Sequence, residues 1–230
     1  EEVRDPSRVA EVLNRVILNA KRMSAPAQIN MPRDYWTQVI DIDLPEMVTF
    51  ERPRGGDTAL QKAADLLSSA KSPVILNGAG VILANGISES IKLAERLDAP
   101  VCVGYQHNDA FPGSHPLFAG PLGYNGSKAG MELISNADVV LCLGTRLNPF
   151  STLPGYGIDY WPKDAKIIQV DINPDRIGLT KKVTVGIIGD AKNVASALLE
   201  KLSDTAGDSG RAERKATIAQ TKSAWAQQLS

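Results

Sequence analysis

Short apolar runs alternate with longer amphipathic segments along most of the chain. Residues 74–77 (VILN), 100–104 (PVCVG), 138–144 (DVVLCLG), 166–171 (KIIQVD) and 183–188 (VTVGII) are hydrophobic stretches of strand length. They run on without the apolar-polar alternation of a half-exposed strand, which predicts strands covered on both faces, as in a parallel sheet. Between them, 57–70, 88–97, 128–136 and 191–202 carry apolar residues at helical spacing, the first opened by Asp57-Thr58 as a cap. This βα rhythm predicts an α/β fold, a doubly wound, Rossmann-like parallel sheet over residues 57–202.

The flanks read differently. Asp5 as N-cap and Pro6 at the first helical position open an N-terminal helix with the stripe Val9, Val12, Leu13, Val16, Ile17 and Ala20. AQINM, 27–31, reads as a short strand closed by Pro32, and a connector rich in Pro and charge follows over 41–56. One helix and one strand cannot enclose a core, so 1–40 is expected to be the remnant of a preceding domain. At the other end, SDTAGDSG (203–210) is a polar linker, and 211–230 is helix-compatible but mostly polar, with Trp225 as its large apolar anchor. The stretch 203–230 is therefore expected to lead toward a further domain. Glu1 in place of Met points the same way, to a fragment.

SPVILNGAGVILANG, residues 72–86, is where a dinucleotide site would begin, a strand entering a turn at Gly78 and Gly80. Leu83 replaces the third glycine, and Val81-Ile82-Leu83 separates the turn from the next clear helix, whereas a phosphate site needs a helix N-terminus aimed at the turn. In a doubly wound sheet the strand ends are the residues to inspect. Here they offer Gly78, Gly80, Gly144, Arg146, Asp171 and Asp190 as a nucleotide crevice, intact or vestigial. An aspartate there can accept ribose hydroxyls, and Arg146 can pair with phosphate. The alternative for Asp171 is a cap on the turn into Asn173-Pro174, and for Asp190 a cap on the following helix. Both histidines, His107 and His115, lie in a long segment, 104–126, whose Gly, Pro, Asn and aromatic content predicts a shaped loop. His107, beside Gln106, Asn108 and Asp109, is the candidate for substrate contact or proton transfer, and His115, before Pro116, reads as a turn residue.

Composition narrows the partners. A net charge of −1 gives no electrostatic footprint for nucleic acid or an anionic membrane. No apolar run reaches the ~20 residues of a transmembrane helix, so a soluble, cytoplasmic protein is expected. Cys102 and Cys142 sit in apolar runs without a CxxC partner, which excludes zinc and redox motifs and argues against a deacylase with a four-cysteine zinc site. There is no GxSxG elbow, Walker loop or HExxH, and Met47 and Met131 read as core or gap filling.

PAQINMPRD, SPVILNGAGV, AERLDAPV, FPGSHPLFAGPLGYNG, ADVVLCLGTRL, IIQVDINPDRIG and GIIGDAK, in this order, resemble the middle portion of thiamine-diphosphate-dependent enzymes of the acetolactate synthase superfamily. GYQHNDAFPGSHP and GTRLNPFSTLPGYGIDYWP are most similar to its sulfoacetaldehyde acetyltransferase branch. The resemblance implies a parent with pyrimidine-binding, central and pyrophosphate-binding domains, of which this chain holds the central one. It implies that thiamine diphosphate and Mg2+ are bound by the outer domains, that sulfoacetaldehyde and phosphate become acetyl phosphate and sulfite, and that the parent is a homo-oligomer, dimer or tetramer. On that reading the fragment is inactive alone, and no catalytic residue is assigned within it beyond the candidate His107. Where flavin-binding relatives are rich in Asp and Arg after LGxR, this chain reads LNPFSTLPG, so bound FAD is not expected. The alternatives are an acetolactate synthase-like carboligase and a non-catalytic nucleotide-binding regulatory domain.

Overall fold

The computed structural model describes residues 1–46, 48–206, 208 and 210–230; Met47, read above as gap filling, lies outside them, as do 207 and 209. The chain forms two compact units, Glu1–Arg52 and Pro53–Ser230.

In the first unit the Asp5 carboxylate accepts the Ser7 N–H (2.9 Å) and caps a 3-10 turn, Pro6–Arg8, that continues as α1 (Val9–Met23). Only part of the predicted stripe is covered: Val12 and Val16 are buried with Val3, whereas Leu13 and Ile17 are 43% and 40% exposed. The expected strand at 27–31 does not form. It contributes one parallel bridge, Asn30 to Glu2.

The second unit is a six-stranded, all-parallel sheet in the order β3-β2-β1-β4-β5-β6. Its strands are β1 (Pro73–Asn77), β2 (Val101–Gly104), β3 (Phe118–Leu122), β4 (Val139–Leu143), β5 (Lys166–Asp171) and β6 (Val185–Ile188). Strand residues alternate between the faces. Val139, Leu141 and Leu143 face one core, and Val140 and Cys142 the other, which is why the run carries no polar position. The first face is covered by α2 (Asp57–Ser69), α4 (Ile87–Leu97) and α6 (Ala191–Lys201), whose buried residues recur at helical spacing, as in Leu60, Ala63, Ala64 and Leu67. Fully burying each such leucine contributes ~1.5–3 kcal/mol.

The second face is covered by α5 (Lys128–Ser135) and α7 (Arg211–Leu229). Helix α7, part of the stretch read from sequence as leading toward a further domain, is docked on this unit. Its anchors are Ile218, 4% exposed, and the buried Arg214, whose guanidinium donates to the carbonyls of Lys71 (2.6 Å), Leu97 (2.9 Å) and Asp98 (3.1 Å). Trp225 meets Tyr156 edge-on at 5.3 Å. Asp98, which ends α4 in the left-handed conformation, also pairs with Arg211 (2.9 Å) and Lys215 (3.4 Å).

Two further elements depart from expectation. Part of the presumed loop 104–126 is strand β3, which tolerates Pro121 because it is an edge strand. Residues Ala79–Leu83 form α3, a five-residue helix opened by Gly78, so Val81-Ile82-Leu83 does not interrupt the approach to a helix but is one.

Candidate functional site

The chain winds outward from β1 to β2 and β3 on one side and from β4 to β5 and β6 on the other. Strand order therefore reverses between β1 and β4, the place where doubly wound sheets bind ligands beyond the strand ends. Five of the predicted site residues come together here or on the adjacent strand.

At the reversal the two strand-end loops touch. The Gly78 N–H donates to the Leu143 carbonyl (3.0 Å) and the Gly80 N–H to the Gly144 carbonyl (2.9 Å). A Cβ on Gly78 would stand 2.5 Å from the Gly144 oxygen, and one on Gly80 2.6 Å from the Gly144 Cα. The glycines thus permit backbone to pack on backbone, and these two N–H groups are engaged with carbonyls rather than aimed at an anion. Sequence alone identified the glycines but not the direction of their N–H groups.

Arg146 and Asp171 flank this contact at the ends of neighbouring strands. Arg146 is exposed and close enough to act electrostatically on Asp171, which is 6% exposed. The Asp171 carboxylate accepts the Asn173 N–H (2.9 Å), with Arg176 at 4.0 Å, so it caps the turn at Pro174–Arg176. Burial, the largest influence, holds its pKa above the ordinary aspartate value against the Asn173 N–H and Arg176. Asp190 lies apart, at the end of β6, where it accepts the N–H groups of Lys192 (3.0 Å) and Asn193 (3.2 Å) as the N-cap of α6. Both aspartates have the cap geometry that was the alternative to ligand binding.

His107 stands at the end of β2. It is half-buried, and its N–H donates to the Gly104 carbonyl (2.8 Å) as the chain enters a 3-10 turn at Asn108–Ala110. A Cβ on Gly104 would meet the Ser151 Oγ at 3.4 Å and the His107 Cδ2 at 3.5 Å, so both side chains lean over this strand end. Beside them Tyr105 and Phe150 pair at 6.3 Å, and Tyr124 and Phe150 are 60% and 59% exposed. His115 is a turn residue, as read from sequence: its Nδ1 accepts the Leu117 N–H (3.2 Å).

One polar residue was missed. Asn77, fully buried at the end of β1, donates from Nδ2 to the Ser90 Oγ (2.8 Å) and the Ala110 carbonyl (3.0 Å), and its Oδ1 has no partner among the described residues. The available signal was an amide closing the apolar run PVILN. At the opposite end of the sheet a cleft of about 710 Å3 opens between α5 and α7 over Pro73, Pro100 and Ile218, walled by Glu132 and Glu213. None of the predicted site residues lines it.

No helix among the described residues is long and apolar enough to cross a membrane. Cys102 and Cys142 are buried, unpaired thiols, and burial pushes Cys102 up to about 12 and Cys142 higher still.

Comparison with known proteins places this geometry. A family model described as "Thiamine pyrophosphate enzyme, central domain" matches residues 60–198. The chain is 81% identical over all 230 residues to a protein of Roseovarius nubinhibens called sulfoacetaldehyde acetyltransferase, and spans 38% of that protein's length. It is 36% identical over 184 residues to a probable acetolactate synthase large subunit of Methanocaldococcus jannaschii, covering 77% of this chain and 31% of the relative. In fold it is similar to a benzoylformate decarboxylase from Polynucleobacter necessarius, with a TM-score of 0.71, 22% identity, and coverage of 88% of this chain and 38% of that one.

Proposed function

The chain belongs to the thiamine pyrophosphate enzymes, as their central domain, and on that premise we propose that its parent is an acyltransferase converting sulfoacetaldehyde and phosphate to acetyl phosphate and sulfite. The observation that carries this reading is the 81% identity over all 230 residues to a relative named for that activity. The acetolactate synthase-like carboligase is less well supported, at 36% identity over 77% of the chain.

The residues present do not fit thiamine diphosphate. No group of three or more His, Cys, Asp or Glu side chains among the described residues is arranged to hold a metal ion. The N–H groups of Gly78 and Gly80 are engaged by the Leu143 and Gly144 carbonyls. Thiamine diphosphate and Mg2+ are then held by parts of the parent outside these residues. The central domain works as a scaffold, with 1–40 closing the pyrimidine-binding domain and 203–230 leading toward the pyrophosphate-binding domain while α7 stays docked. The parent assembles as a dimer or tetramer and works in the cytoplasm.

The same contact supports a central domain without bound FAD. A nucleotide phosphate seated on Gly78 and Gly80 would have to displace two backbone hydrogen bonds, and the loop beyond Arg146 exposes Pro149 and Phe150 rather than charges. The test is product analysis on the full-length parent with thiamine diphosphate and Mg2+, offering sulfoacetaldehyde with phosphate against pyruvate. Phosphate-dependent sulfite release supports the reading, and acetolactate from pyruvate without sulfite overturns it.

A further inference from the structure

The stretches 117–127 and 147–158 hold no charged residue. Beyond the ends of β3 and β4 they are pinned together. The Tyr124 N–H donates to the Phe150 carbonyl (3.1 Å), the Tyr156 hydroxyl to the Gly126 carbonyl (2.9 Å), and the Ser151 N–H to the Asn148 Oδ1 (2.9 Å). The surface they build is aromatic. Tyr124, Phe150 and Tyr156 are 60%, 59% and 53% exposed, and Leu153 and the half-buried Tyr105, 6.3 Å from Phe150, continue it. A buried aromatic side chain covers ~150–250 Å2, so three half-covered rings leave on the order of 250–450 Å2 open. That is the size at which an apolar patch marks a contact.

Helix α7 carries the chain to the edge of this patch. It starts at the amino ends of the strands, where Arg214 donates to the Lys71 and Leu97 carbonyls. About 28 Å of helix reaches the carboxyl ends. There Trp225 packs on Tyr156, and Gln228 accepts from the Lys128 Nζ (3.1 Å) where α5 opens. We propose that the aromatic surface is an interdomain contact of the parent, covered by the part of the same polypeptide that follows residue 230. This rests on the reading of 203–230 as leading toward the pyrophosphate-binding domain, and on the chain spanning 38% of the length of its 81% identical relative. Charge selects the occupant. Nucleic acid or an anionic ligand would need cations on these loops, whereas a neutral aromatic surface is matched by an apolar face of the kind found at the centre of protein interfaces. The contact sets the rim residues His107 and Ser151, which lean over Gly104, against the following domain.

Photocrosslinking in the full-length parent tests this, with benzoylphenylalanine replacing Tyr124 or, separately, Phe150. Irradiation should give an adduct with the mass of one chain that joins the probe to a peptide beyond residue 230. Phe150→Lys, which places a charge in the contact, should speed proteolysis beyond residue 230 by about 10- to 100-fold, the factor that ~100 Å2 of lost apolar contact represents. Leu179→Lys, at a leucine 70% exposed outside the patch, should leave that rate unchanged. Product analysis on the same wild-type preparation decides the activity separately: acetolactate without sulfite would refute the acyltransferase and leave a one-chain adduct beyond 230 standing as evidence for the contact. An adduct of two chains, a peptide from within residues 1–230, no protein adduct, or an unchanged cutting rate in Phe150→Lys overturns the proposal.

Discussion

Replacing Gly144 by Ala would test whether the strand reversal is closed by backbone contact. Gly144 has φ +61°, and a Cβ there would lie 2.6 Å from the Gly80 Cα, 2.8 Å from the Gly80 carbonyl carbon and 2.9 Å from the Val81 nitrogen. Two penalties combine. A left-handed alanine costs about 1–2 kcal/mol, and the clash about 1–3 kcal/mol, with no rotamer to relieve it because every atom met is backbone. The sum, about 2–5 kcal/mol, is a large fraction of the ~5–15 kcal/mol of a typical domain. Gly157 supplies the control: its φ is +74° but nothing lies within 4 Å of its Cβ position, so Gly157→Ala carries the first penalty alone. Urea unfolding followed by circular dichroism and tryptophan fluorescence should place Gly144→Ala about 1–3 kcal/mol below Gly157→Ala, a further melting-temperature loss of roughly 2–12 °C at about 2–4 °C per kcal/mol. Equal losses in the two variants would mean that the loops are not in contact, and the argument against a nucleotide in this crevice would fail with it.

Arg214→Met should destabilise the second unit by about 2–4 kcal/mol, because three carbonyls lose a charged donor, part of that loss being recovered by water entering from the cleft beside it. Limited proteolysis should then cut at 203–210 at lower protease concentration, and unchanged cutting would refute the docking role. Asp171 has a folded pKa raised by burial, so its charged form opposes folding. The penalty is absent below the unfolded value of about 3.9 and grows as pH rises through the folded value. Asp171→Asn, which keeps the acceptor for Asn173, should therefore gain stability relative to wild type as pH rises from 4 to 7, and a parallel pair of pH-stability curves would count against this. Both cysteines should be inert to a thiol reagent in the native protein and react on unfolding, since burial holds Cys102 near 12 and Cys142 above that; fast reaction of the native protein would contradict that burial.

Five of the six strands were legible as short, mostly apolar runs, a pattern that burial on both faces dictates for β1, β2 and β4 even though β1 ends on the buried Asn77. Strand β3 was not, since FAGPL holds a glycine and a proline that a central strand would refuse and an edge strand accepts. Helix α7 was legible as a helix but not as a packed one. Its docking rests on a guanidinium that caps carbonyls around Leu97 and Asp98, and an arginine in a polar stretch looks the same whether it meets water or backbone. The site divides likewise. Gly78, Gly80 and Gly144 could be named because the turn needs them, but what their N–H groups meet depends on how closely two strands paired 66 residues apart in sequence (Asn77 opposite Leu143) approach, which no local pattern encodes.

The closed reversal gives the opening β-turn-α pattern a structural reason that needs no ligand. Glycine is required there for two separable reasons, to let a phosphate near the backbone or to let a second backbone near it. Here the second applies: the partner of Gly80 is Gly144, and each would refuse a side chain on the other. The glycines are therefore under packing constraint whether or not a nucleotide is ever bound. The third glycine of the fingerprint, which serves helix-strand packing over a longer helix, has no such duty in a five-residue α3, and Leu83 stands there 63% exposed. A partial glycine signature of this kind marks the fold's central crossing, and the N–H directions decide whether it also marks a site.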